Sequence, residues 1–113
     1  MAGVRERIER EVGGWPGVEE RVHRFGGVEF RVNGHEIGHL HGDGLADLPF
    51  PVRMRKELVE AGEAQEHHVL PETGWVSYRI RQPEDVAGAL GLFRKNYDRL
   101  TARKGTKNGG SVG

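Results

Sequence analysis

The sequence predicts an α+β domain: one antiparallel sheet, a four-stranded meander plus a later hairpin, with three helices in the order α-β-β-β-β-α-β-β-α. Three observations predict it. Gly26-Gly27, Asn33-Gly34 and Asp43-Gly44 separate short apolar-alternating segments, and links this short join only antiparallel strands, because a parallel crossover needs a dozen or more residues. Apolar residues at helical spacing fill both ends of the chain. Pro51 and Pro83 stand where helices would open, since proline has no N–H to lose at a first helical position.

In order, Val4, Ile8, Val12 and Trp15 recur at intervals of four, four and three, one face of a helix that Gly13-Gly14 ends. Trp15-Pro16-Gly17 turns the chain into the sheet. Strands are expected over Val18 to Phe25, Val28 to Val32, His35 to His41 and Leu45 to Leu48. A helix after Pro51 carries Val52, Met54, Leu58 and Val59 and stops at Gly62. Glu63 to Leu70 and Trp75 to Gln82 read as two strands around Pro71-Glu72-Thr73-Gly74, with Val76, Tyr78 and Ile80 alternating against Ser77, Arg79 and Arg81. Behind Pro83, Val86, Leu90, Phe93, Tyr97 and Leu100 form the stripe of the last helix. The expectation is one domain over 1–104 and a flexible C-terminal tail over 105–113, where there is too little to bury.

Composition narrows the function classes. Lys plus Arg and Asp plus Glu are 17 each in 113 residues, so there is no net field to gather nucleic acid or an acidic membrane surface, and no nucleic-acid partner is expected. There is no cysteine, which removes disulfides, thiolate nucleophiles and cysteine-ligated metals. Any metal would need histidine and carboxylate ligands. The charged N-terminus and the lack of a long apolar run lead to the expectation of a cytoplasmic protein without a membrane segment, monomer or homodimer.

The chemistry concentrates in one strand. His35, His39 and His41 alternate between the Asn33-Gly34 and Asp43-Gly44 turns. If both turns are two-residue hairpins, Val32 faces His35, Phe30 faces Ile37, Val28 faces His39, Leu48 faces His39 and Ala46 faces His41. That arithmetic places His39 and His41 on the apolar face of the sheet and leaves Glu29, Arg31, Glu36 and Asp47 on the solvated one. His35, beside a turn, reads as a surface residue. By the same arithmetic His67 shares the face of Tyr78 and Val76, and His68 that of Trp75 and Ser77.

Two readings of the pair compete. In one, His39 and His41 converge on a divalent metal, with His67 the best-aimed third ligand and His23, His68 or Asp43 as others, or on a small molecule in a pocket completed by Phe30, Trp75 and Tyr78. In the other, they are half-buried imidazoles satisfied by carbonyls and carboxylates. Asp43 and Asp47 are weaker acid–base candidates, better explained by turn and surface roles. Trp75, Arg79, Arg81 and Arg31 suggest an anion platform or, more simply, a salt-bridged face.

At Trp15-Pro16-Gly17-Val18, His23 to Phe30, Glu36-Ile37-Gly38-His39-Leu40-His41-Gly42-Asp43, Asp47-Leu48-Pro49-Phe50 and Gly74-Trp75-Val76-Ser77, the chain resembles the small luciferase-like domain family. The resemblance runs from about Trp15 to Tyr97. It implies that His39 and His41 belong to the family pattern, and it supplies no fixed third metal ligand at His67 or His68. Nothing in the chain resembles a flavin-binding barrel or an adenylating domain. The expected function is therefore a domain that binds a small ligand, with or without a metal, through a histidine-lined pocket on the apolar sheet face. The alternative is a non-enzymatic module for protein interaction or self-association through the Arg31, Arg79 and Trp75 face or an exposed sheet edge.

Overall fold

The computed structural model describes residues 3–22 and 26–105; His23, Arg24, Phe25 and the tail from 106 onward lie outside the described residues. The elements are α1 (Val4–Gly13), β1 (Glu19–Val22), β2 (Val28–Val32), β3 (His35–His41), β4 (Leu45–Pro49), α2 (Val52–Glu60), β5 (Gln65–Glu66), β6 (Trp75–Arg79) and α3 (Asp85–Gly105). Every strand pairing is antiparallel, in the spatial order β1-β2-β3-β4-β6-β5. The fold class and element order are those the sequence predicts. Among the described residues, no helix is long and apolar enough to cross a membrane.

Local chemistry explains the boundaries. Asn33 and Gly34 both take positive φ, 53° and 80°, as a type I′ turn requires. Helix α1 is capped by Gly3, which has no capping side chain, and Asp43 does that work from the β3–β4 loop: its Oδ1 accepts the Arg5 N–H at 2.9 Å. The strand expected over Glu63 to Leu70 shrinks to Gln65–Glu66, because the His67 ring accepts the N–H groups of Val69 and Leu70 and curls the chain out of the ladder. Likewise β6 ends at Arg79, and Asp85 Oδ2 takes the N–H groups of Arg81 and Gln82 at the mouth of α3.

The core lies between the sheet and α3, where Phe30 and Phe93 meet edge to face at 5.5 Å beside Leu40, Leu48 and Val76, all fully buried. Helix α1 packs Val4, Ile8 and Val12 into the same core. Trp15 lies against Tyr97 at 5.2 Å, and the Tyr97 hydroxyl donates to the Pro16 carbonyl at 2.7 Å, closing the turn after α1 onto the last helix.

The register of β3 departs from the sequence-based expectation. Val32 pairs with His35 and Arg31 with Glu36 as a two-residue hairpin dictates, but Phe30 then pairs with Gly38, Glu29 with His39 and Val28 with Leu40. Ile37 is the extra residue of a β-bulge, and beyond it every side chain changes faces relative to simple alternation. The next turn shifts as well: His41 pairs with Leu45 and His39 with Asp47, so the β3–β4 loop holds three residues, Gly42 to Gly44. Consequently His39 and His41 do not lie on the apolar face. They lie on the opposite one, with Glu29, Asp47 and Ser77, while Phe30 and Tyr78 stay on the helix-covered side.

The bulge is held from α3. Asn96, fully buried, donates through Nδ2 to the Ile37 carbonyl at 2.8 Å and to the Pro49 carbonyl at 3.0 Å, and its Oδ1 accepts the Arg99 Nε–H at 2.8 Å. Gly38 completes the device, because a Cβ there would come within 2.8 Å of Leu48 Cγ and 2.9 Å of the Phe93 ring.

Two outcomes are expected. Asn96→Leu strips buried carbonyls of their donor and should lower unfolding stability by at least about 1–3 kcal/mol in urea titrations. Gly38→Ala overpacks the Phe93 contact and should cost about 1–3 kcal/mol in the same measurement.

Candidate metal centre

Asp47 is the centre of the polar face. Its residue is only 1% exposed, and a carboxylate that deep must be surrounded by donors or cations. Ser77, opposite it on β6, donates its hydroxyl to Oδ1 at 2.6 Å. Oδ2 lies 3.1 Å from His41 Nε2, 3.5 Å from His67 Nε2 and 3.7 Å from His39 Nε2. The two β3 imidazoles meet at right angles, Nε2 to Nε2, at 3.1 Å.

The bulge makes one further contact possible. Glu36 and His39 are three apart, which in a regular strand would put them on opposite faces; with Ile37 inserted they share one. Glu36 Oε2 lies 2.6 Å from His39 Nδ1 and accepts a hydrogen bond from its N–H, so the lone pair of the neutral His39 tautomer is on Nε2, the atom nearest His41 and Asp47. A carboxylate on the far nitrogen of an imidazole is the arrangement that orients histidine ligands of metals.

His67 has the opposite tautomer. Its Nδ1 accepts two backbone N–H groups, from Val69 and Leu70, both at 3.1 Å. The proton of the neutral ring is therefore on Nε2, facing Asp47. Burial pushes the His67 pKa below its ordinary value; Asp47 opposes this, and His68, His39 and His41 reinforce it. His68 is exposed and stacks on His67 with ring centroids 4.5 Å apart.

Of the residues expected to form a pocket, His39, His41, His67 and Trp75 come together. The Trp75 ring lies 5.5 Å from that of His39 and 6.1 Å from that of His67. Phe30 and Tyr78 do not join them: Phe30 is fully buried in the core, and Tyr78 turns its hydroxyl to the Asp85 carbonyl at 2.9 Å. His35, exposed as expected, lines an open groove of about 450 Å³ with Phe50, Leu100, Glu36 and Trp75, the last two shared with the histidine cluster. Access to the cluster itself is through His41, whose side chain is 34% exposed. Asp43 is occupied as the α1 cap, and Arg31 is paired with Glu29 at 2.7 Å.

Asp47, Glu36 and Ser77 are the participants that alternation hid. The signal that exposes them is Gly38, since a glycine inside a strand marks a bulge or a close approach of neighbours.

The model of the luciferase domain family matches residues 34–96, more than half of the chain. The chain belongs to the luciferase domain family. No curated protein and no solved structure matches it. The part of this luciferase domain that matches runs from the β2–β3 turn to Asn96, and so takes in both the cluster and the side chain that holds the bulge.

With chelator present, lowering pH through 6.5, the ordinary histidine value, protonates His67 in the unfolded chain before the folded one. The stability present above that pH is lost as pH falls toward the depressed folded value. Thermal melts between about pH 7.5 and pH 5 should show a smaller drop in Tm for His67→Gln than for the wild type.

Proposed function

We propose that this domain binds a divalent transition metal through His39 Nε2, His41 Nε2 and Asp47 Oδ2, and that the metal in turn holds a small oxygen-donor ligand. One observation carries the reading. The three atoms are separated by 3.1, 3.1 and 3.7 Å. Ligands at about 2.0–2.1 Å from a tetrahedral ion lie about 3.3–3.4 Å apart, so the triangle has the size of one face of such a site. Among the described residues, these atoms form one of two histidine–aspartate groups compact enough for an ion, the other being Asp47, His67 and His68. The second is disfavoured because His67 carries its proton on the nitrogen that would have to bind.

Two imidazoles and one carboxylate are the donor set of three-ligand zinc sites and of non-haem iron(II) sites, which keep a position open for water or substrate. A metal so held supplies Lewis acidity toward a bound oxygen atom. This chain's own residues supply the rest: Glu36 fixes the His39 tautomer, Ser77 fixes the Asp47 rotamer, and Trp75 walls one side. The interaction-module alternative draws less support, since Arg31, one of its expected contact residues, is already engaged with Glu29.

Calorimetric titration of tag-free, chelator-stripped protein with Zn²⁺ should give one equivalent bound by the wild type and none by the His39→Ala, His41→Ala double variant. Glu36→Ala should bind about 10–100-fold more weakly, the usual consequence of losing the partner of a ligating histidine. Absence of binding by the wild type, or equal binding by the double variant, overturns the proposal.

A further inference from the structure

The proposed ligand triangle leaves one imidazole of the cluster without a role. His67 comes from the β5–β6 connection, its side chain is 13% exposed, and its Nε2 is 3.5 Å from the same Asp47 oxygen on which His39 and His41 converge. A third histidine so close invites assignment as a further ligand. Its hydrogen bonds say otherwise. Two backbone N–H groups, from the consecutive residues Val69 and Leu70, occupy the Nδ1 lone pair. To ligate through Nε2 while Nδ1 accepts, the ring would have to lose its last N–H and become an imidazolate. Neutral imidazole with Nδ1 accepting is instead an obligatory Nε2–H donor.

Resting on the metal reading above, we propose that His67 is the hydrogen-bond donor to an anionic oxygen-donor ligand carried by the metal, and not a protein ligand of it. Three features direct the choice of ligand class. The donor is fixed by backbone groups, so it needs no reorganisation to meet an acceptor. It points at the oxygen edge of the triangle, so an oxygen atom bound beside Asp47 falls within its reach. The Trp75 ring flanks both His39 and His67, which thins the water on that side and strengthens a hydrogen bond to a charged acceptor. His67 is thus a specificity residue for the ligand, whereas His39 and His41 are affinity residues for the metal.

The test uses Co²⁺, whose visible spectrum reports coordination, and acetohydroxamate as the oxygen-donor anion. His67→Ala and His67→Gln should both take up Co²⁺ with an affinity within about threefold of the wild type and an unchanged spectrum. Acetohydroxamate affinity should fall about tenfold in His67→Ala and recover in part in His67→Gln, whose amide restores an N–H donor. Loss of Co²⁺ from either folded variant makes His67 a ligand and overturns the assignment, as does wild-type acetohydroxamate affinity in His67→Ala. If His67→Ala does not fold, the Co²⁺ affinity of His67→Gln decides between ligand and donor. Failure of the wild type to bind Co²⁺ is a different result: it removes the metal reading itself.

Discussion

The hydrogen bond from Asn96 to the carbonyl of Ile37 is the constraint on which the polar face depends. A bulged residue has no ladder partner for its backbone, and in a buried strand that omission costs free energy unless another group answers it. Asn96 answers from α3 and ties Pro49, at the end of β4, with the same amide. One buried side chain therefore fixes where β3 changes faces and how β4 leaves the sheet. Everything that follows on β3, Gly38 under Phe93 and His39 and His41 beside Asp47, inherits its orientation from that point.

The same bulge divides the sheet into two chemistries. On the helix side the side chains are mainly aromatic and aliphatic, and the Asn96 amide, the Tyr97 and Tyr78 hydroxyls and the buried Arg55 guanidinium each meet a backbone carbonyl. On the other side a buried carboxylate collects a hydroxyl and imidazoles from three elements: β6, β3 and the connection after β5. Asp47 is costly to bury and is compensated by many partners, an arrangement that a bound cation would balance more completely than neutral rings can.

Much of the fold was legible because its signals are local. Asn33-Gly34 adopts the turn its dipeptide demands, the stripe from Val86 to Leu100 becomes α3, and the order of the four-stranded meander follows from short links. The histidine pair was legible too, as residues; its orientation was not. Alternation assumes a strict period of two, and a single inserted residue reverses it for the rest of the strand. What holds that insertion is Asn96, some sixty positions away in the chain, a contact no local pattern contains. The shortening of β5 is a milder case: His67 competes with the ladder for two N–H groups, and only the folded turn shows which wins.

The Arg5–Asp43 hydrogen bond joins the first turn of α1 to the loop that begins immediately after His41. The first turn of the helix and the loop that follows His41 thereby restrain one another. A change at the amino-terminal end that frays this turn therefore frees the Asp43 carboxylate and removes one restraint on the β3–β4 loop.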